Sequence, residues 1–188
     1  MLRHLQEDGK YVEITGFRNV QITNAEDLMK AVRNGIPTEA EVQLFDADLI
    51  ASWQHLYFAV LNAMMAFRTK RNISKSVAVE VMLYASAQRQ IKKAIELIGV
   101  KKNTANVAAV LVSEKAEPVR RALAAVVNCM DAEPDETVLE LSVRKVQRIR
   151  RAFAVSDLEL ETVATKGGAV QALVDLIVER VALLSTQL

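Results

Sequence analysis

The first clearly patterned stretch, Tyr11-Val-Glu-Ile-Thr-Gly16, alternates apolar and polar positions and is rich in β-formers, so it predicts a strand. The pattern then changes to helical spacing. Asn24 offers an N-cap, Glu26 and Asp27 fall in the first turn, and Asn34-Gly35 supplies a stop. Beyond Pro37, Ala40 to Phe45 predicts a second strand carrying Val42, Leu44 and Phe45. Ala47 to Phe67 is apolar almost all round. With Asp46 or Asp48 as its cap it reads as a long helix in the centre of a core, ending near Arg68-Thr-Lys-Arg71. A membrane-spanning helix would place Gln54, His55 and Asn62 in hydrocarbon, at a cost of roughly several kcal/mol, so core is the cheaper reading.

Ser74 and Ser76 sit where the next helix should start, over Val77 to about Ala85. Ser86 marks a junction into a further helix, Ala87 to Ile98, that ends at Gly99. Ala87, Ile91, Ala94, Ile95 and Ile98 recur on one face of it, and this spacing predicts Ile91 and Ile95 as core residues. Val107 to Val112 is a continuous apolar run, the signature of a strand buried on both faces. Glu117 to Met130 predicts a helix with Pro118 tolerated in its first turn, followed by an acidic loop, Asp131 to Glu136. Ser142 caps a basic helix running to about Phe153, while Val138 to Leu141 suits a short strand or turn. Gly167-Gly168 sets off a last helix, Ala169 to Leu184, with Val170, Leu173, Val174, Ile177, Val181 and Leu184 on one side. Repeats, low-complexity segments and long linkers are absent from the sequence. The expectation is one domain over residues 1–188, of mixed α+β (α/β) class and helix-rich, with a small mixed sheet covered by several helices.

Composition narrows the function classes. A chain of 188 residues that is 51% hydrophobic can bury a sizeable core, and a formal net charge of +1 excludes a globally basic nucleic-acid coat. The single cysteine, Cys129, has no internal disulfide partner, which fits a reducing compartment. Arg3, His4, Glu7, Asp8 and Lys10 leave no signal-peptide hydrophobic region at the start, so a soluble cytoplasmic protein is expected.

Catalytic chemistry is sparse. His4 and His55 stand in neither metal-type nor triad-type spacing, and Gly167-Gly168 lacks the lysine and flanking glycines of a phosphate loop. Asp46 and Asp48 could offer two oxygen ligands, although capping accounts for them more simply. His55 reads as a hydrogen-bonded core histidine and Cys129 as a packed thiol. No catalytic residue, metal, cofactor or small-molecule substrate is expected.

Charge placement says more than total charge. Between Arg68 and Lys102 lie nine cations, Arg68, Lys70, Arg71, Lys75, Arg89, Lys92, Lys93, Lys101 and Lys102, against only Glu80 and Glu96. A second cluster, Arg144, Lys145, Arg148, Arg150 and Arg151, contains no acid, and helical spacing puts Arg144, Arg148 and Arg151 on one face with Lys145 beside them. Such clusters attract phosphates, and Phe67 or Tyr84 could add base stacking; a solvated helix face is the alternative.

Leu44-Phe-Asp-Ala-Asp-Leu-Ile-Ala-Ser-Trp-Gln-His55 and Tyr84-Ala-Ser-Ala-Gln-Arg-Gln-Ile91, running on to Ile98-Gly99, resemble the smallest accessory subunit of the archaeal and eukaryotic KEOPS (EKC) complex, the p53-related-kinase-binding protein family. The matching positions are Ala47-Asp48, His55, Ala85-Ser86, Gln88-Arg89-Gln90-Ile91 and Ile98-Gly99, within a resemblance that covers about residues 10–115. The C-terminal part, with Asp135-Glu-Thr-Val-Leu-Glu140, matches only in outline. The resemblance implies a non-catalytic subunit of a tRNA threonylcarbamoyladenosine-modifying complex. It would bind and support a RIO-type kinase and recruit tRNA by its single-stranded 3′ CCA end. Carried over, it implies RNA contact by Arg89 with Gln88, Lys92 and Lys93, joined by Arg68, Lys70, Arg71 and Lys75; the kinase-binding face is not identified. Gln88 and Gln90 either bond to bases or cap a helix. Ala87 stands where the family often has Gly, which suggests an ordinary helical backbone, and Tyr84 occupies a position that is basic in some relatives. Two other classes stay open: an adaptor that binds proteins without nucleic acid, and an enzyme whose site gathers Asp46, Asp48 and His55 in a cleft.

Overall fold

The computed structural model describes residues 2–164 and 168–186. Its sheet holds β1 (Arg3–Leu5), β2 (Lys10–Phe17), β3 (Ala40–Asp46) and β4 (Val107–Ser113) in the order β1-β2-β4-β3. Every neighbouring pair is antiparallel, so the sheet is not mixed as expected. The reason is placement: β2 and β3 do run parallel to each other, but β4 lies between them and opposes both. The α+β class and helix-rich character are as the sequence indicates. β1, absent from the sequence-based expectation, forms a hairpin with β2 through Gly9, whose φ of 59° is left-handed.

The continuous apolar run of β4 is explained by two cores. Val107, Ala109 and Leu111 face one side, with Phe17, Leu44, Val119, Ala122 and Val126. Ala108, Val110 and Val112 face the other, with Ile14, Phe45, Leu56, Val60 and Val81. The first side is covered by α1 (Ala25–Gly35) and α5 (Ala116–Met130), and the half-buried Cys129 of α5 packs against this cluster. The second is covered by α2 (Trp53–Arg68), α3 (Val77–Ser86) and α8 (Gly168–Leu183), with α6 (Val143–Ala152) and α7 (Asp157–Val163) beyond them. Asn24 and Ser76 cap α1 and α3 as predicted. Gly16 is required where the segment after α5 crosses β2: Asp135 N–H donates to Gly16 O at 2.7 Å, and a Cβ at Gly16 would collide with Val138. Among the described residues no helix is long and apolar enough to cross a membrane.

Several boundaries differ from expectation. Neither Asp46 nor Asp48 caps the long helix: Ser52 does, its hydroxyl accepting from His55 N–H at 3.2 Å. The aspartates belong to a separate 3-10 turn, Ala47–Leu49, and the buried Ile50 and Ala51 intervene before α2 begins. Val138 to Leu141 is not a strand; Glu136–Leu139 forms another 3-10 turn. The helix predicted from Ala87 starts instead at Ile91, as α4 (Ile91–Ile98), and α3 extends to Ser86. The last helix begins at Gly168 and ends at Leu183; Val170, expected on its apolar side, is exposed, and Gly167 lies outside the described residues. α7 went unpredicted although its signal is present: Ser156 and Glu159 form a reciprocal capping box.

Candidate nucleic-acid interface

Two of the basic segments hang from the same backbone device. At the end of α2, Lys70 is left-handed (φ 57°), Lys70 N–H bonds Phe67 O at 3.2 Å and Arg71 N–H bonds Ala66 O at 2.8 Å. At the end of α3, Ala87 is left-handed (φ 51°), Ala87 N–H bonds Tyr84 O at 2.9 Å and Gln88 N–H bonds Leu83 O at 3.0 Å. Each is a Schellman closure, in which a residue of positive φ lets the chain turn back over the last helical carbonyls. Ala87 therefore does not continue a helix, contrary to expectation. It holds the left-handed conformation that glycine adopts most readily.

These closures aim Arg71 and Arg89 at one cavity of about 320 Å³, walled by Asn62, Met65, Ile73, Tyr84 and Leu184–Thr186. Tyr84 is only 6% exposed, so its ring is a wall of this cavity and not a free stacking platform. Burial, and then Glu80, push its hydroxyl pKa upward, while Arg89 acts the other way. Lys70 and Lys75 are exposed on the loop between α2 and α3. Arg68 is drawn aside to the β1–β2 hairpin, 3.1 Å from Glu7 and 3.9 Å from Asp8. Lys93 is exposed; Lys92 is exposed too and lies 3.9 Å from Glu96 across one turn of α4. Gln88 lines a neighbouring cavity of about 270 Å³ with Phe153 and Arg180. Gln90 is the N-cap residue of α4, but its side chain makes no capping bond.

Ile91 and Ile95 are not core. They are 43% and 50% exposed and border an apolar groove of about 570 Å³ with Met29, Val79 and Met82, while Ala94 and Ile98 take the buried positions of the stripe. The break at Ala87 separates α4 from α3, and within α4 only one side of the stripe turns inward.

The second basic cluster is built differently. Arg148 bonds Asp46 at 3.2 Å and also Asp48, and Asn106 donates to Asp48 at 3.0 Å. Lys145 is 5% exposed and donates to Val138 O (2.9 Å) and Glu140 O (3.1 Å). Its burial lowers its pKa to about 8, against the pull of Asp48 and Asp46. Arg150 pairs with Asp157. Arg144, Arg148 and Arg151 are exposed, but Arg148 is held by two carboxylates and Lys145 is buried, so α6 acts in part as a strut that ties the Asp46–Asp48 turn to the fold.

His55 is wholly buried. Its Nδ1 accepts from Ala51 N–H at 3.2 Å, so the proton resides on Nε2, which donates to Ala85 O at 2.7 Å. Burial lowers its pKa to about 4. With His55 sealed and both aspartates held by Arg148, the three side chains do not form the open cleft that an enzyme built on them requires.

Residues 17–185 match the family model described as kinase binding protein CGI-121. The chain is also similar to the protein named regulatory protein Cgi121 of Methanocaldococcus jannaschii, with 35% identity over 113 residues, covering 60% of this chain and 70% of the relative. The family match thus takes in β3, β4, both Schellman closures and the C-terminal helices, and the chain belongs to the CGI-121 family of kinase-binding proteins.

Proposed function

We propose that this protein is a non-catalytic, single-domain accessory subunit of the cytoplasmic KEOPS tRNA-modifying complex. It binds and supports the RIO-type kinase subunit and recruits tRNA through the single-stranded 3′ CCA end. Kinase binding follows from the family, and the regulatory role is that named for the archaeal relative. The observation that carries the RNA reading is the convergence of Arg71 and Arg89, from segments eighteen residues apart, on one partly apolar cavity. Lys70, Lys75, Lys92 and Lys93 are exposed on the same two segments, with Gln88 beside Arg89 and Arg68 at the hairpin end of the ridge. Two arginines lining one cavity suit a flexible strand: the arginines hold phosphates while the wall accepts a splayed base.

The test is binding of the full chain to an intact tRNA and to the same tRNA lacking CCA, over a salt series. Affinity that drops without CCA, with a log–log salt slope of about −0.7 per phosphate bound, supports the reading. Equal, weak binding to both leaves an adaptor that engages the kinase without nucleic acid.

A further inference from the structure

Glu80, on the first turn of α3, is 0% exposed. Its carboxylate accepts from Ile73 N–H at 3.1 and 3.0 Å and from Ser74 N–H at 2.7 Å. These amides lie in the loop that carries Lys70, Arg71 and Lys75, and Ile73 itself walls the cavity. The loop is tied further by Asn72 Nδ2, which donates to Ser74 O at 2.9 Å, and by Ser76 N–H, which donates to Ser74 Oγ at 3.1 Å. A carboxylate removed from water is costly, and amide N–H groups satisfy it here. Two adjacent amides converging on it fix the path of the backbone between Arg71 and Lys75 more tightly than a water-exposed turn would.

We infer that Glu80 is a positioning residue for RNA binding: it holds the Ile73–Ser74 backbone so that Arg71 stays on the cavity that Arg89 also lines. This rests on the RNA reading proposed above. A side-chain amide at this position has one acceptor oxygen, and its NH2 would face an N–H donor, so Glu80→Gln keeps the size and loses the clasp. Asn72→Ala loosens the same loop from its outer side without altering the core.

The experiment compares wild type, Glu80→Gln and Asn72→Ala as full chains. It measures affinity for intact tRNA over a salt series, amide hydrogen exchange at Ile73 and Ser74, and kinase association. The expected result for Glu80→Gln is exchange at both amides faster by about tenfold or more, as for any locally opened segment. Affinity for tRNA falls several-fold, the salt slope becomes shallower by about 0.7 for each phosphate no longer held, and kinase association is unchanged. Asn72→Ala moves the same readouts in the same direction by less, and it carries the test if Glu80→Gln fails to fold. Accelerated exchange with unaltered affinity and slope overturns the positioning role, as do amides that remain protected. Wild type that does not bind tRNA overturns the RNA reading itself.

Discussion

The two basic clusters look alike in sequence and differ in fate. Around α6 two of the cations are tied into the fold: Arg148 bridges Asp46 and Asp48 from a hundred residues away, and Lys145 is sunk against two carbonyls. Along the ridge from Lys70 to Lys93 they stand on loop and helix surfaces, with Arg71 and Arg89 at the mouth of a cavity. A run of like charge has no fixed meaning, then. What decides it is whether the fold brings carboxylates and carbonyls to the run or leaves it facing water.

The sealed region should respond to pH. His55 titrates at about 4 in the folded protein against an ordinary 6.5, so the unfolded chain binds more protons between those values. Its contribution is therefore complete above pH 6.5 and lost as pH falls towards 4, by about 3 kcal/mol. Urea denaturation across this range should show the loss, and His55→Asn should flatten it; an unchanged slope in the variant would refute the assignment.

A paired substitution contrasts the clusters directly. Arg148→Ala removes the guanidinium bonded to the buried Asp46 and to Asp48 and should lower stability by about 2 kcal/mol, below the range for fully buried pairs because the guanidinium side chain is 42% exposed. Binding of tRNA by the folded variant should be preserved. Arg89→Glu should do the reverse, leaving melting unaltered and weakening tRNA binding by on the order of tenfold. Should both variants lose the same property, the division between strut and ridge would be wrong.

The smallest effect concerns the turn that presents Arg89. Ala87 at φ 51° carries left-handed strain that glycine avoids, offset by glycine's greater freedom in the unfolded chain. Ala87→Gly should raise stability by about 0.5 kcal/mol, read as a small increase in melting temperature; a decrease would mean that Ala87 is not strained in solution.

Most elements were legible because their signals are local. The unbroken Val107–Val112 run, the Asn24 and Ser76 caps and the apolar breadth of α2 each declare themselves within a few residues. Ala87 gave no sign of its conformation, since alanine is the strongest helix former and only the family's glycine pointed elsewhere. Ile91 and Ile95 were misread because an apolar stripe marks a face without saying how much of it the fold covers, and only its Ala94 and Ile98 side is buried. The ridge cations were recognisable from Arg89 and its neighbours, but their meeting with Arg71 depends on how two helix ends are closed. The role of Arg148 was beyond local reading because its partners lie at Asp46 and Asp48.

The position of β4 also dictates an order of assembly. On a ribosome, β2 emerges early with only the three-residue β1 to pair with, and β3 follows with its edges bare, because the strand that joins them is made last. Until Val107–Ser113 is released, both core-facing surfaces of the nascent chain lack their dividing wall, so the sheet closes late through long-range pairing. A chain interrupted before Val107 would expose unpaired edges to its neighbours, and such an unfinished product would tend to aggregate or be degraded before it met a partner.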